Sequence, residues 1–129
     1  MRTAKLKNKG FTLVEVMVAM LILFIGMMAL LWALTAAVEH NLKNQMTDEA
    51  VRLGEDRMNI LRGMDIAALA SGNATVVRRF RNTDVPFNVT WTVQNLSASN
   101  SRAVRISVTW SWKGTGHQHV VTSIMSRDL

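Results

Sequence analysis

The sequence predicts an α+β fold, in which one long N-terminal helix packs its C-terminal half on a small antiparallel β-meander. Three observations carry this. Residues 16–38 are 23 consecutive positions without a charge, interrupted in their apolar character only by Gly26 and Thr35. Residues 39–64 place apolar side chains three to five positions apart. Beyond residue 76 the apolar period falls to two. With 129 residues, 49% of them hydrophobic, the chain holds one small domain and an apolar segment, because domains usually run to about 100–150 residues. A large two-domain soluble enzyme is excluded.

Taken in order, residues 1–10 are a short basic leader and residues 11–38 are the apolar half of the helix. A bilayer's hydrocarbon core calls for about 20 such residues. Residues 39–64 are the amphipathic half: Leu42, Met46, Ala50, Leu53, Met58 and Leu61 form the stripe, and Lys43, Asp48, Glu49, Arg52, Glu55, Asp56 and Arg62 fill other positions. No proline or turn cluster breaks the pattern. Gly54 within it costs about 1 kcal/mol relative to alanine. A helix from Phe11 to about Met64 is therefore expected, about 80 Å long at 1.5 Å per residue.

Residues 65–129 make the β domain. Ser71-Gly72-Asn73 is expected as a turn, and residues 76–80 as an additional strand. Phe87, Val89, Trp91 and Val93 alternate with Asn88, Thr90, Thr92 and Gln94. Val104, Ile106, Val108, Trp110 and Trp112 alternate with Arg105, Ser107, Thr109 and Ser111. Both segments read as half-buried strands. Residues 96–101 suit a hairpin loop, Gly114-Thr115-Gly116 a turn, and residues 118–125 a further strand. Pro86 is expected at a strand start, where a missing N–H is harmless. The helix stripe is the one other large apolar surface able to cover such a sheet.

The charge is uneven. Fifteen Lys and Arg against nine Asp and Glu give +6, but Arg2, Lys5, Lys7 and Lys9 lie in the first ten residues, which contain no acid. Without those four the remainder carries +2. A basic leader ahead of an apolar span points to membrane topology rather than nucleic acid. The chain has no cysteine, so disulfide and thiolate-metal frameworks are excluded.

Lys9-Gly10-Phe11-Thr12-Leu13-Val14-Glu15 is the most informative stretch. A carboxylate in an apolar span costs about 2.5–3.5 kcal/mol near the bilayer centre, so its presence asks for a partner. A cut between Gly10 and Phe11 creates an amine one helical turn before Glu15 and removes the four leader cations. Amine and carboxylate then neutralise each other, within one chain or between axially offset neighbours.

With its basic leader and about twenty following apolar residues, Gly10-Phe11-Thr12-Leu13-Val14-Glu15 resembles the class III signal of type IV pilins and type II secretion pseudopilins. The resemblance implies a prepilin peptidase that cuts after Gly10 and methylates Phe11. It also implies that Glu15 recognises the terminal amine of an adjacent subunit during assembly. The run ending Ile25-Gly26, and Leu53-Gly54-Glu55-Asp56-Arg57-Met58, are most similar to PilV-type minor pilins, although Gly54 stands where alanine is usual. Val108-Thr109-Trp110 resembles both these minor pilins and the GspI-type minor pseudopilins of type II secretion systems. The expectation is a minor pilin with no enzymatic activity, catalytic residue, cofactor or metal. Its expected partners are the prepilin peptidase, other pilin or minor pilin subunits, the inner-membrane assembly machinery and, before assembly, membrane lipid. The expected location is the bacterial inner membrane, single-pass with the C-terminal domain periplasmic, and then the pilus or pseudopilus. A membrane-anchored or secreted binding module is the alternative of another class.

Other candidates are weaker. A conventional signal peptide would place its apolar core before a small-residue site such as Thr35-Ala36-Ala37, but such cores run to only about 7–15 residues. His117 and His119 share a strand face, yet zinc needs more ligands and His40 lies on the helix. Arg78, Arg79 and Arg81 read as a solvated run, with phosphate or an acidic partner as the sharper alternative. Trp91, Trp110 and Trp112 read as core residues, with a stacking platform as theirs. Asn73-Ala74-Thr75, Asn88-Val89-Thr90 and Asn95-Leu96-Ser97 match glycosylation acceptors, a short motif with frequent chance matches.

Overall fold

The computed structural model describes residues 10–96 and 101–126. The expected α+β, pilin-like arrangement is the one observed. Helix α1 spans Leu13–Arg62, and four strands follow: β1 Gly72–Phe80, β2 Thr83–Asn95, β3 Ser101–Trp112 and β4 Thr115–Ser126. They form one sheet in the order β1-β2-β3-β4, every neighbour antiparallel. The chain divides into two compact units, Met1–Asn41 and Leu42–Leu129.

In the first unit, α1 is apolar on all sides, and the large side chains from Leu13 to Leu34 are exposed. It is the one helix among the described residues long and apolar enough to cross a membrane. The Thr35 hydroxyl donates to the Leu31 carbonyl at 2.9 Å, so this polar group in the apolar run is satisfied inside the helix, as an apolar solvent requires.

In the second unit, Met46, Ala50, Leu53, Met58 and Leu61 of α1 are buried. They meet Val85, Phe87 and Val89 of β2 and Val104, Ile106, Val108 and Trp110 of β3 in one core, joined by Leu69. Leu42, the first residue of the expected stripe, is only half-buried. The period-2 pattern of β2 and β3 fixes this outcome, because alternate side chains share a face. Phe80, Phe87 and Trp110 continue the core as tilted aromatic pairs, with centroids 6.0 and 5.7 Å apart.

The sequence expectations are not met at residues 71–73, 114–116, Pro86 and Ser101. Ser101 opens β3 instead of closing a loop, and residues 97–100 of the expected 96–101 loop lie outside the described residues. Residues 71–73 are not a turn, since β1 begins at Gly72. The reversal after α1 occurs earlier, through Gly63 and Met64 and a 3-10 turn at Ile66–Ala68 whose start is capped by the Asp65 carboxylate, which accepts from the Ala67 N–H. Gly114-Thr115-Gly116 is displaced by one residue. The two-residue connection is Lys113-Gly114, between the paired residues Trp112 and Thr115. Both connecting residues have positive φ, 49° and 78°, as the twist of a tight hairpin favours, and Thr115 and Gly116 enter β4.

Pro86 is the third departure, for it lies inside β2 opposite Val77. The β2–β3 pairing begins only at Phe87. Counting from the Phe80–Thr83 pair that closes the β1–β2 hairpin, Val77–Pro86 is a non-hydrogen-bonded pair. The absent N–H of Pro86 therefore faces the side that β3 leaves unpaired, so the proline costs the sheet no ladder bond.

Two glycines are expected to respond oppositely to alanine. A Cβ at Gly54 would meet Val121, Val108 and His119 at 3.5–3.8 Å, ordinary van der Waals contact. Gly54→Ala should therefore raise stability by about 1 kcal/mol through helix propensity. A Cβ at Gly72 would lie 2.6 Å from the Trp91 ring. Gly72→Ala should displace that ring and lose about 1–3 kcal/mol. Thermal unfolding of both variants checks the pair, and an equal response at the two sites would contradict the packing described.

Candidate functional site

The sequence motif with the most chemistry, Gly10 to Glu15, lies at the start of α1. Gly10, Phe11 and Thr12 are outside the helix and exposed. Thr12 ends the non-helical segment as an N-cap. Its hydroxyl oxygen accepts from the Glu15 N–H at 3.3 Å, and its carbonyl accepts the first bond of the helical ladder, from the Val16 N–H at 3.2 Å. Thr-x-x-Glu is the spacing of a capping box. Glu15 thus sits in the first turn, where unpaired backbone N–H groups favour a negative charge. The sequence carried this signal in Thr12 and Glu15, but Thr12 was not among the expected site residues.

Phe11 is 83% exposed. Nothing lies within 4 Å of the position a Cβ would take at Gly10. The described packing does not demand glycine there, so a demand for a small residue would come from a partner. The leader cations lie outside the described residues.

The remaining candidates are absorbed mostly into the folded unit. Trp110 is buried and stacks on His117 at 5.4 Å. Trp91 donates its indole N–H to the Ala70 carbonyl at 3.0 Å and lies under the Arg57 guanidinium, 4.0 Å from the ring centroid. Trp112 packs against the core edge. The three rings share the helix-facing side of the sheet, which is a core arrangement rather than an open stacking platform. His117 and His119 are half-buried on β4. Among the described residues no group of three His, Cys, Asp or Glu is placed to hold a metal ion.

The arginine run is divided by strand alternation. Arg78 reaches Glu49 of α1 at 2.7 Å, Arg79 lies 3.8 Å from Asp84, and Arg81 occupies the β1–β2 turn with φ 54°. Arg78 and Arg79 therefore do not combine into one basic patch. Asn73 and Asn88 are exposed, and Ser97 of the third acceptor lies outside the described residues.

The family model that matches is the prokaryotic N-terminal methylation motif, over residues 5–31. No curated protein and no solved structure matches the chain. The matched segment contains the Gly10–Glu15 motif, the capped helix start and most of the uncharged span. It supports a type IV pilin-like or pseudopilin-like protein, and with the fold it points to a structural subunit. The motif and the exposed apolar helix are consistent with an inner-membrane-anchored pilin.

Membrane insertion of this helix is testable directly. Leu23→Arg at the middle of the run should raise the insertion cost by about 3 kcal/mol. The fraction of chain resisting carbonate extraction should fall sharply, and wild-type retention would show that the run does not insert alone.

Proposed function

We propose that the chain is a minor pilin of a type IV pilus, cut after Gly10 by a prepilin peptidase, methylated at Phe11 and assembled through α1. The observation that carries the reading is the methylation motif over residues 5–31, together with the exposed, capped start of a helix whose apolar half exposes its large side chains. That half would be covered first by lipid and then by the helices of neighbouring subunits. Gly26 has open space around it and costs the helix about 1 kcal/mol. A small residue there lets a neighbouring helix approach closely.

The leader cations would stay in the cytoplasm, leaving the β domain periplasmic. After cleavage, Glu15 would be the first charged side chain of the mature protein. In an apolar setting an unpaired carboxylate is costly and a nearby ammonium strongly favourable. The Phe11 amine of an adjacent subunit would supply that ammonium and select the axial stagger of assembly.

Mass spectrometry of the mature N-terminus tests the first step: the expected product begins at N-methylated Phe11, and a start near residue 38 would indicate a secreted protein. The second step separates processing from assembly. Glu15→Ala should be inserted and cut like the wild type but recovered much less in sheared filaments. Equal incorporation of a fully processed variant would remove the intersubunit role.

A further inference from the structure

We propose that Thr12 is a positioning residue for leader removal: its cap holds the Gly10–Phe11 peptide bond outside α1, where a membrane peptidase can take it. The proposal deepens the prepilin reading above and rests on it. The argument begins with a competition for one donor. Were α1 to extend a turn toward the N-terminus, the Glu15 N–H would bond to the Phe11 carbonyl and the Val14 N–H to the Gly10 carbonyl, by the i to i−4 rule. The Glu15 N–H is instead taken by the Thr12 hydroxyl oxygen at 3.3 Å. The first carbonyl in the ladder is that of Thr12.

The sequence gives the cap something to oppose. Phe11, Leu13, Val14 and Val16 are apolar, and no proline stands before the helix. A bilayer also rewards internal bonding of every backbone group. Residues with a side-chain oxygen arrest helix growth by offering the backbone N–H another acceptor. Thr12 does so two residues after the bond to be cut.

The consequence for hydrolysis lies at the Gly10 carbonyl. Water supplied in the peptidase adds to this carbonyl carbon and the Gly10 C–N bond to Phe11 breaks. Gly10 leaves as a carboxylate, and both protons of the water pass to the Phe11 nitrogen, which becomes the N-terminal ammonium. A carbonyl inside a helix is engaged by the N–H four residues on and screened by the adjacent turn. Here Gly10, Phe11 and Thr12 are exposed and non-helical, and open space surrounds Gly10.

The test uses the full chain in a bacterium with a prepilin peptidase, following leader loss by pulse–chase. Thr12→Ser and Thr12→Asn retain a capping oxygen; Thr12→Val keeps the shape of threonine without one, and Thr12→Ala removes both. Ser and Asn variants should be processed within about twofold of wild type. Val and Ala variants should be slowed about fivefold, the factor expected for loss of an N-cap. Processing of Val and Ala variants at the wild-type rate overturns the proposal. So does a slow Asn variant beside a fast Ser variant, which would mean that the enzyme recognises the hydroxyl itself. If the wild type is not cut after Gly10, the prepilin reading fails first, whatever the variants do.

Discussion

A four-stranded meander has two faces, and in this protein one helical stripe must dry the apolar one. Val85, Phe87, Val89, Val104, Ile106 and Val108 are each at most 2% exposed, and they owe this to Met46, Ala50, Leu53, Met58 and Leu61 on α1. The folded unit is small and has no disulfide. A domain of this size buries only about 60–70% of its unfolded surface, so nearly every apolar residue of the stripe matters. Helix and sheet are therefore one cooperative unit from residue 42 onward, because both bury their apolar side chains in the same core.

The same helix meets the opposite requirement before residue 42. There it lacks a polar face, so no orientation of the isolated helix hides its side chains from water. Within the folded unit the driving force is burial against the chain's own sheet. In the apolar half it is burial against lipid or other helices. One continuous backbone can satisfy both because a helix bonds its own N–H and C=O groups in either solvent.

Polar side chains secure the passage from helix to sheet. Arg102 donates to the Leu69 carbonyl at 2.7 Å, Trp91 donates to that of Ala70, and the Ser71 hydroxyl accepts from the Val93 N–H at 2.9 Å. Three consecutive residues of an otherwise irregular segment are thus tied to β2 and β3. Gly72 completes the arrangement, since a side chain there would occupy the space of the Trp91 ring. Across the sheet, the Glu49–Arg78 pair joins α1 to the edge strand β1. Glu49 retains 18% side-chain exposure and Arg78 48%, so the pair stays in contact with solvent.

The sequence by itself determined the class of α1, β2 and β3 and the faces they bury. Of β1 it showed only residues 76–80 and of β4 only residues 118–125, with no face assigned to either. Periods of 3.6 and 2 are consequences of backbone geometry and survive any tertiary arrangement. The Gly10–Glu15 motif was equally legible, because its residue types and order are the signal. Turn positions were less so: residues 71–73 and 114–116 carry turn composition, but the register of β1 on β2 and of β4 on β3 decides which residues reverse. Only the tertiary structure brought Arg78 onto Glu49 and turned Trp91 from a candidate platform into a ring held by Arg57 and Ala70. Those assignments depend on residues 21 to 34 positions away in the chain. Local pattern specifies what a side chain can do, and the partner that folding brings beside it decides what it does.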